Sequence, residues 1–478
     1  MSTSNTIVSN LLWRFLERCG AQLVSFVVSI IIARILGPEY YGIIAIINIY
    51  TGIISVFIDS GLGNAIIQKK DPTDLDYNSV FYFNILSSSI LYLALFFLAI
   101  PISKFYNNPD LIIYIRVQSI LLLISGIKNI QQSYVSKNLL FKKFFFSTLG
   151  GTIGAAIIGI VLAVKGYGIW ALIAQSLFNN LIDTIILWIT VPFKPKLIFS
   201  IKRLFELFRY GWKLLVSSLI DNIYNKLTQF IIGKKYSPTD LSFYDKGSHF
   251  PEIIIFNINN SINSVLLPTM SNIQDDIVRL KELTSKSIKL SSYIIMPLMA
   301  GLAVCAESIV ILLLKDQWLP CVFYIRIFCF SYAFYPIHTS NLNAIKALGR
   351  SDLFLILEII KKIVGIIAIL VSMTISVKAM AISILIISII NQIINSWPNK
   401  KLLNYSYIKQ IKDIFPSIFI STVMGIIVYS INFLSFSPIY KLFIQIPLGI
   451  ISYILISKLF KISEYDYLKS IIKGYMKK

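Results

Sequence analysis

The sequence predicts an all-α, polytopic membrane protein with about fourteen transmembrane helices. Three observations lead there: composition, the spacing of apolar runs, and the placement of basic residues. Of 478 residues, 56% are hydrophobic and 14% are charged. Soluble domains average roughly 45–50% apolar, with glycine counted, and about 25% charged. A soluble chain of this size could not bury so much apolar surface and keep a polar shell. Disorder is excluded too, because its signature is low hydrophobicity. Apolar runs of about 20 residues, the length a helix needs to cross hydrocarbon, recur along the whole chain. Each must be helical, since a lone strand leaves its backbone groups unsatisfied in lipid.

Read between charged or Pro/Gly breaks, the runs fall in order at 12–35 and 41–59, parted by Gly37 and Pro38. The next are 79–101 and 111–132, then 144–164 after the Lys142–Lys143 pair, and 168–191 after Lys165 and Gly166. A basic stretch leads into 211–232, followed by 249–268, which holds Pro251 and Pro268. The remaining runs are 290–313, 322–342, 353–374, 377–395, 414–433 and 439–459. Nothing longer than about 20 residues separates them, so no soluble catalytic domain is expected.

The net charge of +21, from 44 Lys+Arg against 23 Asp+Glu, would suggest nucleic acid in a soluble protein. Here it sorts by side. With the N-terminus taken as cytoplasmic, inner loops and tail collect about 28 basic residues, Lys128 counted among them, and outer loops about 9. The expectation is therefore an N-in, C-in protein of the bacterial inner (cytoplasmic) membrane, with no nucleic-acid partner. The start, MSTSNTIVSNLLWRFLER, lacks the pattern of a cleavable signal peptide. Cys19, Cys305, Cys321 and Cys329 form no CxxC or Cys/His cluster and read as small hydrophobes. No metal or cofactor is expected.

Ionisable groups at membrane depth are costly and usually face a bundle interior or a wet cavity. Arg14 and Arg18 share a helix face, with Glu17 beside them; they either snorkel to headgroups or form a cationic patch. Lys361 and Lys362 follow Glu358 at i+3 and i+4 in LFLILEIIKKIVGIIAIL. They form either a self-contained ion pair or a lumen-facing cationic site. In the seventh run Asp221, Asn225 and Thr228 make one polar stripe, with Asn222, Lys226 and Gln229 beside it. The eighth carries Glu252, Asn257, Asn259, Asn260, Asn263 and Ser264. Interhelical hydrogen bonding and lining for a hydroxyl-rich ligand both account for these amides. Arg116 and Arg326 read as snorkelling, and His338, after Pro336, as packing beside a helix break. No Walker P-loop is present, so direct ATP use is not expected. The glycines at 61–63 and 151–154 read as close helix contacts.

Six segments together resemble a known family: IIARILGPEYYGIIAI (31–46), SGLGNAIIQKKDPTDLDYNSVFYFN (60–84), KGYGIWALIAQSLFNNLIDTIILW (165–188), FIIGKKYSPTDLSFYDKG (230–247), LLPTMSNIQDDIVRL (266–280) and KALGRSDL (346–353). They are similar to the polysaccharide (O-antigen and capsule repeat-unit, Wzx-type) flippases of the multidrug/oligosaccharidyl-lipid/polysaccharide exporter superfamily. The resemblance covers about residues 10–395. It departs from the family pattern at LLKDQW (313–318), where relatives often carry a glycine. It implies two six-helix lobes, 1–200 and 201–400, plus an extra helix pair with a basic tail at 401–478. Pro38 and Pro238, each after an apolar run, give a faint repeat signal.

The resemblance also implies a substrate: an undecaprenyl-pyrophosphate-linked oligosaccharide moved from inner to outer leaflet by alternating access. On that reading Arg14, Arg18, Lys226, Lys361 and Lys362 bind the pyrophosphate, and Asn222, Asn225, Gln229, Asn259 and Asn263 contact the glycan. Asp221, Glu252 and Glu358 are candidate carboxylates for coupling to H+ or Na+. Candidate partners beyond the lipid-linked oligosaccharide and the phospholipid bilayer are those ions and a polysaccharide polymerase. The alternatives are a peptidoglycan-precursor flippase or a cation-coupled drug exporter of the same superfamily. A polymerase or ligase is disfavoured, because no long loop offers catalytic residues; the protein is expected not to be an enzyme.

Overall fold

A computed structural model describes the backbone of residues 3–59 and 61–476; the side chains of 3–12, 14, 15, 18, 59, 210 and 471–476 lie outside it. Arg14 and Arg18, both candidate site residues, thus lie outside the described residues, as do the side chains of Asp59 and Lys473. Only helices, turns and loops occur among the described residues. The chain divides into two compact units, Met1–Ser242 and Phe243–Lys478.

The first unit holds α1 (Thr3–Ile35), α2 (Pro38–Asp59), α3 (Leu62–Gln68), α4 (Asp74–Tyr106), α5 (Leu111–Gln118), α6 (Ile120–Lys137), α7 (Phe141–Val164), α8 (Ile169–Thr190) and α9 (Ile201–Lys235). A further helix, α10 (Pro238–Ser271), begins in it and continues into the second unit. Both α2 and α10 open on a proline, whose missing N–H is one that a helix start leaves unpaired anyway. At the head of α4, Thr73 and Asp76 form a reciprocal cap, and Lys69 pairs with Asp76 at 2.8 Å. Helices α7 and α8 lie in close contact. A Cβ on Gly151 would stand 2.7 Å from the Asn179 carbonyl oxygen, so the 151–154 glycines serve close helix packing. Val28, Ile32, Ala156 and Leu172 join α1, α7 and α8 in one apolar cluster.

The second unit holds the rest of α10, then α11 (Ile277–Leu314), α12 (Cys321–Ala333), α13 (Tyr335–Ala347), α14 (Ser351–Ser372), α15 (Val377–Leu402), α16 (Tyr407–Tyr429), α17 (Pro438–Leu459) and α18 (Ser463–Met476). The long helix α11 packs against α12, α13, α16 and α17. Pro297 lies inside it and cannot donate to the carbonyl one turn back, that of Tyr293. The Tyr453 hydroxyl on α17 donates to that carbonyl instead, at 2.7 Å, and the Tyr293 hydroxyl donates to Ser457 at 2.8 Å. Met424, Val428 and Leu442 complete the surrounding apolar cluster.

Every expected run is helical, but several differ in detail. The run 111–132 is split at Ser119 into α5 and α6, and 322–342 is split at Phe334, just before Pro336, into α12 and α13. Pro251 and Pro268 do not bound the eighth run; α10 continues through both. Helix α9 begins ten residues before the expected start of the seventh run. Ten helical segments are long and apolar enough to cross a membrane. Helices α9, α10 and α14 are as long but fall short, because they carry the charged and amide side chains singled out above. On α4, Leu86, Ile90, Leu93 and Phe97 form an exposed apolar stripe at helical spacing, suited to lipid. The four cysteines are free thiols, three of them buried.

Candidate functional site

One gathering of polar and charged side chains in the second unit surrounds the break between α12 and α13. Pro336 has no N–H to offer, so the helix resets at Phe334 and presents Tyr335 and His338 together, with ring centroids 5.8 Å apart. Asn395 of α15 meets His338 Nδ1 at 2.9 Å. Read with the amide nitrogen as donor, this bond leaves the His338 proton on Nε2 and the ring neutral. On α14, Lys361 and Glu358 form an ion pair at 2.6 Å, with side chains 13% and 31% exposed. Lys361 lies within electrostatic reach of His338, and both Glu358 and Glu252 of α10 within reach of Tyr335. Tyr332 meets this group edge-to-face, 6.2 Å from Tyr335 between ring centroids. Two carboxylates, an ammonium, a neutral imidazole and two phenols from four helices therefore share one neighbourhood. Such a set can take up and hand on a cation or proton.

Of the residues expected to contact glycan, Asn259 accepts a hydrogen bond from Thr339, and Asn263 accepts one from Asn343 at 2.6 Å. Both bonds tie α10 to α13. Asn225 and Asp221 on α9 are exposed, while Asn222, Lys226 and Gln229 are half-buried. The Asn222 side-chain oxygen is buried with no hydrogen bond. Among the described residues no hydrogen bond or ion pair reaches Lys226. Lys362 is half-buried on α14 beside Lys361. Arg116 donates to the Phe96 carbonyl and covers its ring at 4.0 Å, and Arg326 lies 3.7 Å from Glu307.

The first unit contains a pair that the loop assignment of Lys128 hid. Lys128 lies inside α6, 3.3 Å from Asp183 and 2.7 Å from the Asn180 side-chain oxygen on α8. The other Asp183 oxygen is buried with no hydrogen bond. The signal was present: residue 128 falls inside the run 111–132, and Asp183 needed a partner at membrane depth. Outside the spans, Arg350 grips both oxygens of Asp352 at 2.9 and 2.6 Å. The guanidinium holds the Asp352 carboxyl down at about 2.

Ten helical segments long and apolar enough to cross a membrane define a polytopic membrane protein. Solved structures share the fold. The lipid II flippase MurJ, in an inward closed conformation, matches with a TM-score of 0.75 and 17% identity, over 94% of this chain and 98% of its own. An inward-facing multidrug resistance MATE family transporter matches with a TM-score of 0.61 and 14% identity, over 82% and 98%.

A family model described as polysaccharide biosynthesis protein matches residues 31–323, and the chain belongs to that family. The succinoglycan biosynthesis transport protein ExoT of Rhizobium meliloti (strain 1021) is 25% identical over 66% of this chain and 64% of its own length. The lipopolysaccharide biosynthesis protein WzxC of Escherichia coli (strain K12) is 21% identical over 89% of each chain. The protein is thus a multi-pass membrane protein of a polysaccharide biosynthesis family, with relatives named as transport proteins.

Proposed function

We propose that this protein moves undecaprenyl-pyrophosphate-linked oligosaccharide repeat units from the inner to the outer leaflet of the bacterial cytoplasmic membrane. The observation that carries the reading is Lys226, a half-buried cation on the polar face of α9 for which the described residues supply no counter-charge. A pyrophosphate would supply one, through charge-assisted hydrogen bonds. Lys226, Lys361, Lys362, Arg14 and Arg18 are assigned to the pyrophosphate, and the amides Asn222, Asn225, Gln229, Asn259 and Asn263 to the glycan. The protein would alternate between states open to each leaflet. Asp221, Glu252 and Glu358 are assigned to coupling with H+ or Na+. The excess of basic loop residues supports both termini inside. Polysaccharide polymerase is the proposed downstream partner.

Replacing Lys361 and Lys362 together by alanine should abolish surface polysaccharide while the protein still reaches the membrane. Unchanged polymer at equal expression would refute the assignment of these lysines. Proteoliposomes offered lipid-linked oligosaccharide, a peptidoglycan precursor or a cationic drug would test the substrate class.

A further inference from the structure

A second charged feature of the second unit lies at the membrane end where α11 and α16 begin and α18 follows α17. A cavity of about 660 Å³ opens there among α11, α16 and α18. Lys281, Lys286 and Lys289 line it from α11, and Lys409 and Lys412 from α16. Three acids, Glu282, Asp413 and Glu464, share the lining. Asp413 is spoken for: it accepts from the Ser285 and Tyr405 hydroxyls, each at 2.6 Å, and pairs with Lys289 at 3.2 Å. Lys286 lies 4.0 Å from the Tyr467 ring centre on α18. Lys281, Lys409 and Lys412 have no ion pair or hydrogen bond from their ammonium groups among the described residues.

The placement of these lysines works against helix stability. A helix start carries partial positive charge, and lysines stand within the first two turns of both α11 and α16. The start of α11 is already capped by Asp276, which accepts from the Arg279 N–H at 2.9 Å. The lysines rather than the helix ends therefore carry the excess positive charge, and it suits an anion. The cavity's position says what kind. It lies past the end of the apolar span Pro438–Leu459, at the depth of headgroups. One turn further along α11 from Lys289 and Leu290, Tyr293 and Ile294 begin an apolar groove of about 480 Å³ among α11, α16 and α17. A soluble anion would have no use for that continuation; an acyl chain would.

We propose that this five-lysine cavity binds the phosphate headgroup of an anionic phospholipid of the surrounding bilayer, a structural lipid site separate from substrate handling. It does not rest on the transport reading, and failure of that reading leaves it standing.

The test is native mass spectrometry of the delipidated full-length protein titrated with dioleoylphosphatidylglycerol. Comparators are dioleoylphosphatidylcholine, undecaprenyl diphosphate and inorganic pyrophosphate. Phosphatidylglycerol should bind preferentially. The K281Q/K409Q/K412Q variant should weaken it by about a hundredfold. The K400Q/K401Q variant, which removes two lysines outside the cavity, should bind as wild type. Equal binding of phosphatidylcholine, equal loss in both variants, or no loss in the triple variant overturns the proposal. Tighter binding of undecaprenyl diphosphate, or equal binding of pyrophosphate, overturns the phospholipid as occupant. Should the triple variant fail to fold, wild-type phosphatidylglycerol affinity measured at rising salt decides: it must fall steeply, and salt independence refutes the site.

Discussion

Replacing Lys128 by methionine removes one half of a charge pair whose side chains are only 11% and 12% exposed. Asp183 would keep its charge in a place where one of its oxygens already lacks a hydrogen bond. The ammonium it loses also serves the Asn180 side-chain oxygen at 2.7 Å. Breaking a buried pair from one side costs about 3–5 kcal/mol, because the remaining charge is left uncompensated. Removing both partners, as K128M/D183L, leaves no stranded charge and should return stability to within about 1 kcal/mol of wild type. An SDS titration of the folded protein in mixed micelles, followed by far-UV circular dichroism, measures all four corners of the cycle. A coupling energy of roughly 2 kcal/mol or more is expected. A double variant that loses the sum of the two single losses would show that the charges do not stabilise each other, and the reasoning fails.

Gly151→Val should lower the same unfolding midpoint by the equivalent of about 1–3 kcal/mol. The added carbons meet the Asn179 carbonyl and push α8 from α7. Asn341→Leu removes a buried hub that exchanges hydrogen bonds with Gln410 at 2.7 and 3.0 Å and accepts one from Asn399 at 2.6 Å. The orphaned amides should cost about 1–3 kcal/mol, read in the same titration; an unchanged midpoint would show that the hub is dispensable.

The helical architecture was legible because its cause is local. A run of about 20 apolar residues has one stable form in lipid, and proline at 38 and 238 marks a helix start by its own covalent structure. Inside a membrane helix the same residue is less informative. Pro251 and Pro268 look like boundaries in the sequence, yet α10 passes through both. Neighbouring groups can satisfy a freed carbonyl there, as Tyr453 does for Tyr293. The candidate site was legible only in part. Which residues are polar could be read; which of them meet could not. Thr339 and Asn343 lie 80 residues from Asn259 and Asn263, a separation that helical periodicity does not encode. Lys128 shows the converse error. Counted with a loop for its charge, it belongs to the helix because Asp183 compensates it.

The phenol of Tyr453 that closes the missing rung of α11 links two mechanical elements. A helix lacking one backbone bond flexes most easily there, and this flexure point is fastened to α17 from both directions, by the Tyr453 and Tyr293 hydroxyls. Flexing α11 away from α17 there would strip a donor from its acceptor. This part of α11 and α17 therefore travel as one lever, and whatever drags on the terminal helices is felt at the midpoint of α11.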